Sequence, residues 1–536
     1  MRNQRGQAAV LGYVAVGIIT LLGGLMLNHA FAIQQHQQTQ ELYTSAFYLA
    51  EGGLEDAIAH FTQDIANFQV GATTARYPAV GSLTTTFSSG ATTSSVIQEI
   101  APGQTTVVDP DGISLFAKNY HITTTAPSPA NPAVTVTLHQ IFTRRLIYTF
   151  QHAVFYDADL EWLPGADMSL VGRVHSNSDI YLASVTGKIL TIDGSYLHAA
   201  GDLYHKRKDN GTIPGGVVQI DKAGLTPTTF PVLSQDSTSP TWTTDALTTW
   251  NGSVQTSVHG VTKRAVPVVG STAPGDFYDT NADVKVLNCT MTQNGVTLVP
   301  GTDIPTGTCT TTTTFYNNRE GKYVKMAVVD LAKLGGGVFG GQTFANHLPS
   351  NGLLYATRND APATQQPGIE LINGAQINRA GGLTVVTNQP AYIRGDYNTT
   401  SKKPAAVIGD ALNLLSSSWS DANSTSGLNS RVATPTTFNS AFIAGIKTTT
   451  SGNYNGGLEN YPRMHENWSG KQLSITGSFV SLWNSQIATG NWMYGSPQYT
   501  APNRVWSWDA SFENGNNMPP FTPWAVEIVK GAWWKQ

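Results

Sequence analysis

Charge is what this chain has least of. Only 12% of its 536 residues are Asp, Glu, Lys or Arg, about half the usual share, and the net charge is −4. With no basic footprint, no nucleic acid is expected as a partner. Cysteine is scarcer still. Cys289 and Cys309 are the only two, and they come without a CxxC pair or neighbouring histidines, which argues against zinc. In an oxidising compartment they can close one loop of about twenty residues; two buried free thiols are the alternative. The lack of charge does not signal disorder, because aromatics make up 10% of the chain and disordered chains are poor in them. The abundance of Thr, Ser, Asn and Gly suits short strands joined by tight turns. The length is enough for three or four domains.

The longest charge-free stretch lies near the N-terminus. After Arg2 and Arg5 no charged residue occurs until Glu41, and the run Ala8 to Leu27 is apolar. As a helix that run rises about 30 Å, enough to cross a bilayer core. Arginines before it and none soon after place the N-terminus in the cytoplasm and export the rest. A cleaved secretory signal would have a shorter apolar core, and His29-Ala30-Phe31-Ala32 fits its small-residue cleavage site poorly. An uncleaved signal anchor is a second reading. A third comes from the residues that follow. Tyr43, Phe47, Ala50, Leu54, Ala57, Ile58 and Phe61 recur at helical spacing. The helix is therefore predicted to continue to about residue 68, apolar in its first half and amphipathic in its second.

The stretch Gln4-Arg5-Gly6-Gln7-Ala8-Ala9-Val10-Leu11, followed by Ala46-Phe47-Tyr48-Leu49-Ala50-Glu51-Gly52-Gly53-Leu54-Glu55, resembles the N-terminal domain of PilX-type minor pilins. The resemblance covers about residues 1–70 and extends more weakly to about 155. It implies cutting by a prepilin peptidase between Gly6 and Gln7, with Arg5 as the preceding basic residue, and packing against other pilin subunits through the helix. Major pilins carry a Glu at the fifth position after the cut, where this chain has Leu11. The resemblance therefore implies a rare or tip-located subunit rather than the repeating one, because every shaft copy would leave a charged amine unpaired in lipid.

Seven segments are expected. Residues 1–35 form the leader and transmembrane half of the helix, and 36–70 its amphipathic half. Residues 71–150 form a small β head, with 71–100 as a loose polar connection. Residues 151–235 and 341–500 are two parts of a right-handed β-helix-like (solenoid) body. An insertion at 236–340 carries the Cys289–Cys309 loop, and a Trp-rich C-terminal cap occupies 501–536. The solenoid rests on an internal repeat: Met168-Ser169-Leu170 and Asp179-Ile180-Tyr181 recur as Leu190-Thr191-Ile192 and Asp202-Leu203-Tyr204. Short apolar strands closed by Gly, such as Ala405 to Gly409, echo it further along. The fold class is thus mainly β with a long N-terminal helix. An antiparallel β-sandwich is the competing architecture for the body.

No motif points firmly to catalysis. His175, Ser176 and Asp179 are too close along a strand to converge as a triad. Asp279, Asn281 and Asp283 imitate the start of a calcium loop, but Val284 and Thr290 break the pattern. His465-Glu466 lacks a second histidine, and His205 to Lys208 reads as a solvated basic loop. Trp468, Trp483, Trp492, Trp506, Trp508 and Trp524 are expected to pack, with Trp533 and Trp534 exposed.

The expectation is therefore a non-enzymatic minor pilin-like subunit with no cofactor and no metal. It would sit in a bacterial inner membrane, crossing once, with its body periplasmic or displayed on a pilus for adhesion. The rivals are a statically anchored envelope protein and a surface enzyme acting on polysaccharide.

Overall fold

The computed structural model describes residues 3–68, 81–225 and 228–536. Helix α1 runs unbroken over Asn3–Phe68, about 100 Å at 1.5 Å per residue. Its two halves behave differently. Side chains from Val10 to Ile33 are bare, whereas Ala46, Ala50, Leu54, Ala57, Ile58, Phe61 and Ile65 are buried. Their three-and-four spacing makes one stripe down the helix.

That stripe lies on an antiparallel sheet. Its strands are β1 (Gly81–Thr86), β2 (Thr92–Glu99), β3 (Thr105–Val108), β4 (Ser114–Ser128) and β5 (Asn131–Tyr148), with β3 pairing off β4. Along β4 and β5 alternate residues are buried, as expected of a sheet with one wet face. Phe61 sits between Tyr120 and Phe142, ring centroids 4.9 and 5.4 Å away. Gly53 permits the close approach, since a Cβ there would collide with the Thr93 side chain. The expected loose connection at 71–100 is corrected in part: 81–86 and 92–99 are paired strands of this head. Its portion at 71–80 lies outside the described residues.

The head is completed from the far end of the chain. The strand Trp524–Lys535 pairs antiparallel with β5, from Trp524 opposite Tyr148 to Lys535 opposite Leu138, with a bulge between Lys530 and Trp533. The segment 501–536 is thus not a single cap on the body. Asn503–Trp508 joins the body by pairing with Gln472–Ser481, while the last strand belongs to the head.

The body is built from short parallel strands stacked in columns. Val154, Val174 and Leu197 form one column; Leu160, Ile180 and Leu203 a second; Met168, Leu190 and Val218 a third. All nine side chains are buried in one hydrophobic core. The repeat read from the sequence coincides with this register, because Met168 opposes Leu190 and Ile180 opposes Leu203. Further on, Leu353–Thr357, Leu383–Val386, Ala405–Gly409, Thr436–Ala444 and Gln472–Ser481 stack parallel on one another. The first three are buried at every position, the pattern of strands covered on both faces.

The first column and this second run of strands are one sheet. Phe479 pairs with Val154, so the last strand of the second run lies against the first strand of the first. The chain therefore enters the stack at its middle and builds outward to Val254–Gln255. It then crosses to the far end at Val284–Leu287 and builds back. This corrects the expected insertion. Within 236–340, Val254–Gln255 pairs with Leu197–Ala199, Val284–Leu287 pairs with Leu353–Thr357, and Lys322–Asp330 pairs with Gln365–Ile372.

Candidate functional site

The first half of α1 stands out as the functional surface. It contains the helix's apolar window, with a mean hydropathy of 2.3 and no residue of that window buried, so it is long and apolar enough to cross a membrane. Arg5, Gly6 and Gln7 lie within α1, not in a loop. Nothing lies within 4 Å of a Cβ placed on Gly6, and Gln7 is exposed. Leu11 is 68% exposed and has Val10 and Tyr13 bare beside it. Arg2 lies outside the described residues. The first carboxylate, Glu41, is about 50 Å along the helix from Gln7. A surface so apolar is costly in water and cheap in lipid or against other apolar helices.

The helix transmits its position to the body through the head. Three contacts carry the chain across: Trp508 Nε1 donates to the Phe150 carbonyl at 2.9 Å, Ser478 Oγ to the His152 carbonyl at 2.6 Å, and the Thr149 amide to the Pro523 carbonyl at 3.1 Å. Beside them lies a buried basic cluster that the sequence did not announce. The Arg264 guanidinium donates to His152 Nε2 at 2.9 Å and to the Tyr196 hydroxyl at 3.1 Å. Its own backbone is clamped by Asn177, and Ala265 bridges to Val526 of the last head strand. Burial, with Arg264 next, pushes His152 and His175 well below the usual histidine range, and His198 down to about 3. Arg264 sits in an undistinguished Lys263-Arg264-Ala265 stretch, so no local signal marks it.

The two cysteines lie far from the helix in sequence and in the fold. Cys289 and Cys309 are disulfide-bonded, with their Cα atoms 5.3 Å apart. The bond links the hairpin beside Val284–Leu287 to the strand Cys309–Thr312, at the outer ends of the two largest body sheets.

Other candidate residues are taken up by local structure. His175 Nε2 meets Asn177 Oδ1 at 3.1 Å, Ser176 Oγ donates to the Ala158 carbonyl, and Asp179 Oδ1 accepts the Asp202 amide. These bonds shape turns between strands and do not converge. Asp279 and Asn281 belong to the short helix Phe277–Asn281. Asp279 pairs with Lys285 at 3.0 Å, while Asp283 accepts the Ser350 amide. Arg207 is held bidentate by Asp209, and Lys206 lies over the Tyr204 ring. His465 is buried against Asn413, and Glu466 accepts both the amide and the hydroxyl of Ser416. Among the described residues no group of three or more His, Cys, Asp or Glu is placed to hold a metal. Trp468, Trp506 and Trp524 are buried, and Trp533 and Trp534 are exposed at 47% and 40%.

One pair of carboxyls merits the glycoside question. Burial pushes Glu161 and Glu459 up to about 7 each, and at Glu161 the neighbouring Glu459 adds to the rise. Glu161 lines a cavity with Tyr156, Arg319, Asn460 and Arg463, but its volume is only about 10 Å³, room for one water and not for a sugar ring.

No protein-family model and no curated protein matches the chain. Among solved structures it is similar to that of the competence-associated pilin ComZ from Thermus thermophilus, at 10% identity over 92% of this chain and 97% of that one. The TM-score is 0.28, too low to argue a shared fold.

Proposed function

We propose that this chain is a membrane-anchored, minor pilin-like structural subunit, not an enzyme. One observation carries the reading: a single unbroken helix is bare and apolar along its first half and packed on an antiparallel sheet along its second. Such a helix can be stored in a bilayer and then slide into a bundle of similar helices without refolding, since apolar partners replace lipid. Arg5-Gly6-Gln7 at its start, with Gly6 and Gln7 exposed, is the proposed site of prepilin-type processing. The parallel columns of the body read as coils of a β-helix-like unit, carried outside the membrane. Leu11 in place of a carboxylate suits a rare, tip-located copy, and the body is the part it would present to a surface.

Gly6→Leu tests the reading. In native cells the wild-type chain is expected to begin at Gln7 and to be recovered partly in filaments sheared from the surface. The variant is expected to keep Met1 and stay wholly in the membrane fraction. A wild-type chain with Met1 intact would leave a static anchor and sink the pilin-like reading.

A further inference from the structure

We propose that a cleft at the disulfide-bearing end of the body binds a neutral sugar, the end of a glycan or polysaccharide chain. The inference goes beyond the anchoring role proposed above and does not depend on the cut after Gly6.

Alternation builds the floor. In the strands Val284–Leu287, Thr290–Gln293 and Leu353–Thr357, the side chains of Val284, Val286, Met291, Leu354 and Ala356 belong to the hydrophobic core. Leu287, Thr290 and Thr357 therefore share the opposite face. Pairing sets Thr290 beside Leu287 and Leu287 beside Thr357 in one row. Asn388, just past the next strand, extends the row and is hydrogen-bonded to Thr357. Asp279, in the short helix Phe277–Asn281, stands at its side. The cleft so formed has a volume of about 800 Å³, within the range of small-ligand sites.

Among the described residues its lining carries no unpaired charge. Asp279 pairs with Lys285 at 3.0 Å, and Asp360 clamps Arg358 through two bonds of 3.0 and 2.9 Å. A phosphate or carboxylate finds no free cation here, and an amine finds no free carboxylate. That leaves a neutral ligand.

What the cleft does offer is uncommitted amide groups. Gln389 Nε2 donates to Thr357 Oγ1 at 3.3 Å, so the Thr357 proton goes to Asn388 Oδ1 at 2.7 Å. The Asn388 NH₂ has no partner among the described residues. Asn288 and Asn359 fix each other. Asn288 Nδ2 donates to Asn359 Oδ1 at 2.5 Å, and the Asn359 amide donates to Asn288 Oδ1 at 3.1 Å. A second NH₂, on Asn359, is thereby left free among the described residues. Two oriented donors and the Thr290 hydroxyl thus accompany Leu287, which is 45% exposed. A sugar ring has the matching parts: hydroxyls around its rim and C–H groups on its face. A peptide strand sends its side chains and carbonyls to alternate sides, whereas these donors border a single cleft.

The disulfide holds the site in shape. Leu287 and Thr290 are joined by the two-residue turn Asn288-Cys289, with φ of 50° and 69°, the left-handed pair that a tight hairpin requires. Cys289 is bonded to Cys309, which ties the turn to a second sheet. Groups fixed beforehand lose less freedom on binding.

The test uses the full chain in phosphatidylcholine nanodiscs, titrated with maltose, lactose, mannobiose and chitobiose and followed by saturation-transfer NMR. Galacturonate and the neutral peptide N-acetyl-trialanine amide serve as comparators. At least one disaccharide is expected to receive saturation from the wild type. Its binding should be lost in Leu287→Arg and weakened about fivefold in Asn388→Leu, the worth of one hydrogen bond. It should be unchanged in Leu247→Arg. Leu247 is 43% exposed, so both arginines replace surface leucines, and it lies in the helix Trp242–Trp250 beside the strand at the other end of the sheet. Saturation of no disaccharide, equal affinity in wild type and Leu287→Arg, or tighter binding of galacturonate or the peptide would overturn the proposal. None of these outcomes moves the start of the mature chain, so the helix reading is judged separately.

Discussion

Arg264 Nη1 donates to His152 Nε2 at 2.9 Å in the buried joint between head and body. An arginine cannot accept, so His152 Nε2 must be the bare nitrogen and the ring must be neutral. Protonating His152 would set two cations in contact where water cannot screen them. The joint is therefore sensitive to acid by construction.

Stability should fall as pH drops below about 6.5, the ordinary histidine value in the unfolded chain. His152, His175 and His198 are all held below that value in the fold. The unfolded state thus takes up protons that the folded state refuses, and the loss continues toward the depressed folded values. His152→Gln keeps an acceptor for Arg264 and removes one titration. Urea unfolding between pH 4 and 6 should then show a pH slope shallower by about one proton, roughly 1.4 kcal/mol per pH unit. An unchanged slope would mean His152 is already charged in the fold.

Glu161 predicts the opposite trend. Burial raises its carboxyl to about 7, so the folded state keeps a proton that the unfolded state releases above about 4.5. That penalty grows as pH rises from about 4.5 to about 7 and is constant above. Glu161→Gln needs no proton to stay neutral, so it should stabilise the protein at pH 7.5 by about 2 kcal/mol and do little at pH 4. Thermal unfolding at the two pH values reads the difference.

Gly477 faces Ser440 across the parallel pair Thr436–Ala444 and Gln472–Ser481. A Cβ there would run into the Ser440 carbonyl oxygen and adjoining backbone. Gly477→Ala should cost about 1–3 kcal/mol through forced backbone displacement. Gly165→Ala meets open space and should stay within about 0.5 kcal/mol of wild type. Equal effects at the two positions would contradict this register.

The disulfide closes a loop with a sequence separation of 20. Replacing Cys289 and Cys309 together with Ser should cost about 3 kcal/mol, chiefly by freeing the unfolded chain. A reductant should lower the melting temperature of the wild type to that of the double variant and leave the variant unmoved.

Much of the architecture is legible locally. The bare and packed halves of α1 follow from charge-free residues to Gln40 and the stripe Phe47, Ala50, Leu54, Ile58. The parallel pairing of Met168 with Leu190 follows from a repeat of apolar residues in the sequence. Neither needed knowledge of distant partners. The candidate site divides the same way: Arg5-Gly6-Gln7 is a short contiguous pattern, whereas Arg264, His152 and Tyr196 come from segments that share no local signature.

The amino-acid sequence by itself determined the helix, its change of character near residue 40 and the presence of short stacking strands, because these depend on spacings of a few residues. Tertiary structure alone decided that Trp524–Lys535 returns to β5 and that the chain enters its sheet at Phe155 and crosses from Gln255 to Val284. Any extended apolar strand offers the same backbone donors and acceptors. Which strands meet is therefore settled by the sum of burial over the whole core, and no short window of residues contains that sum.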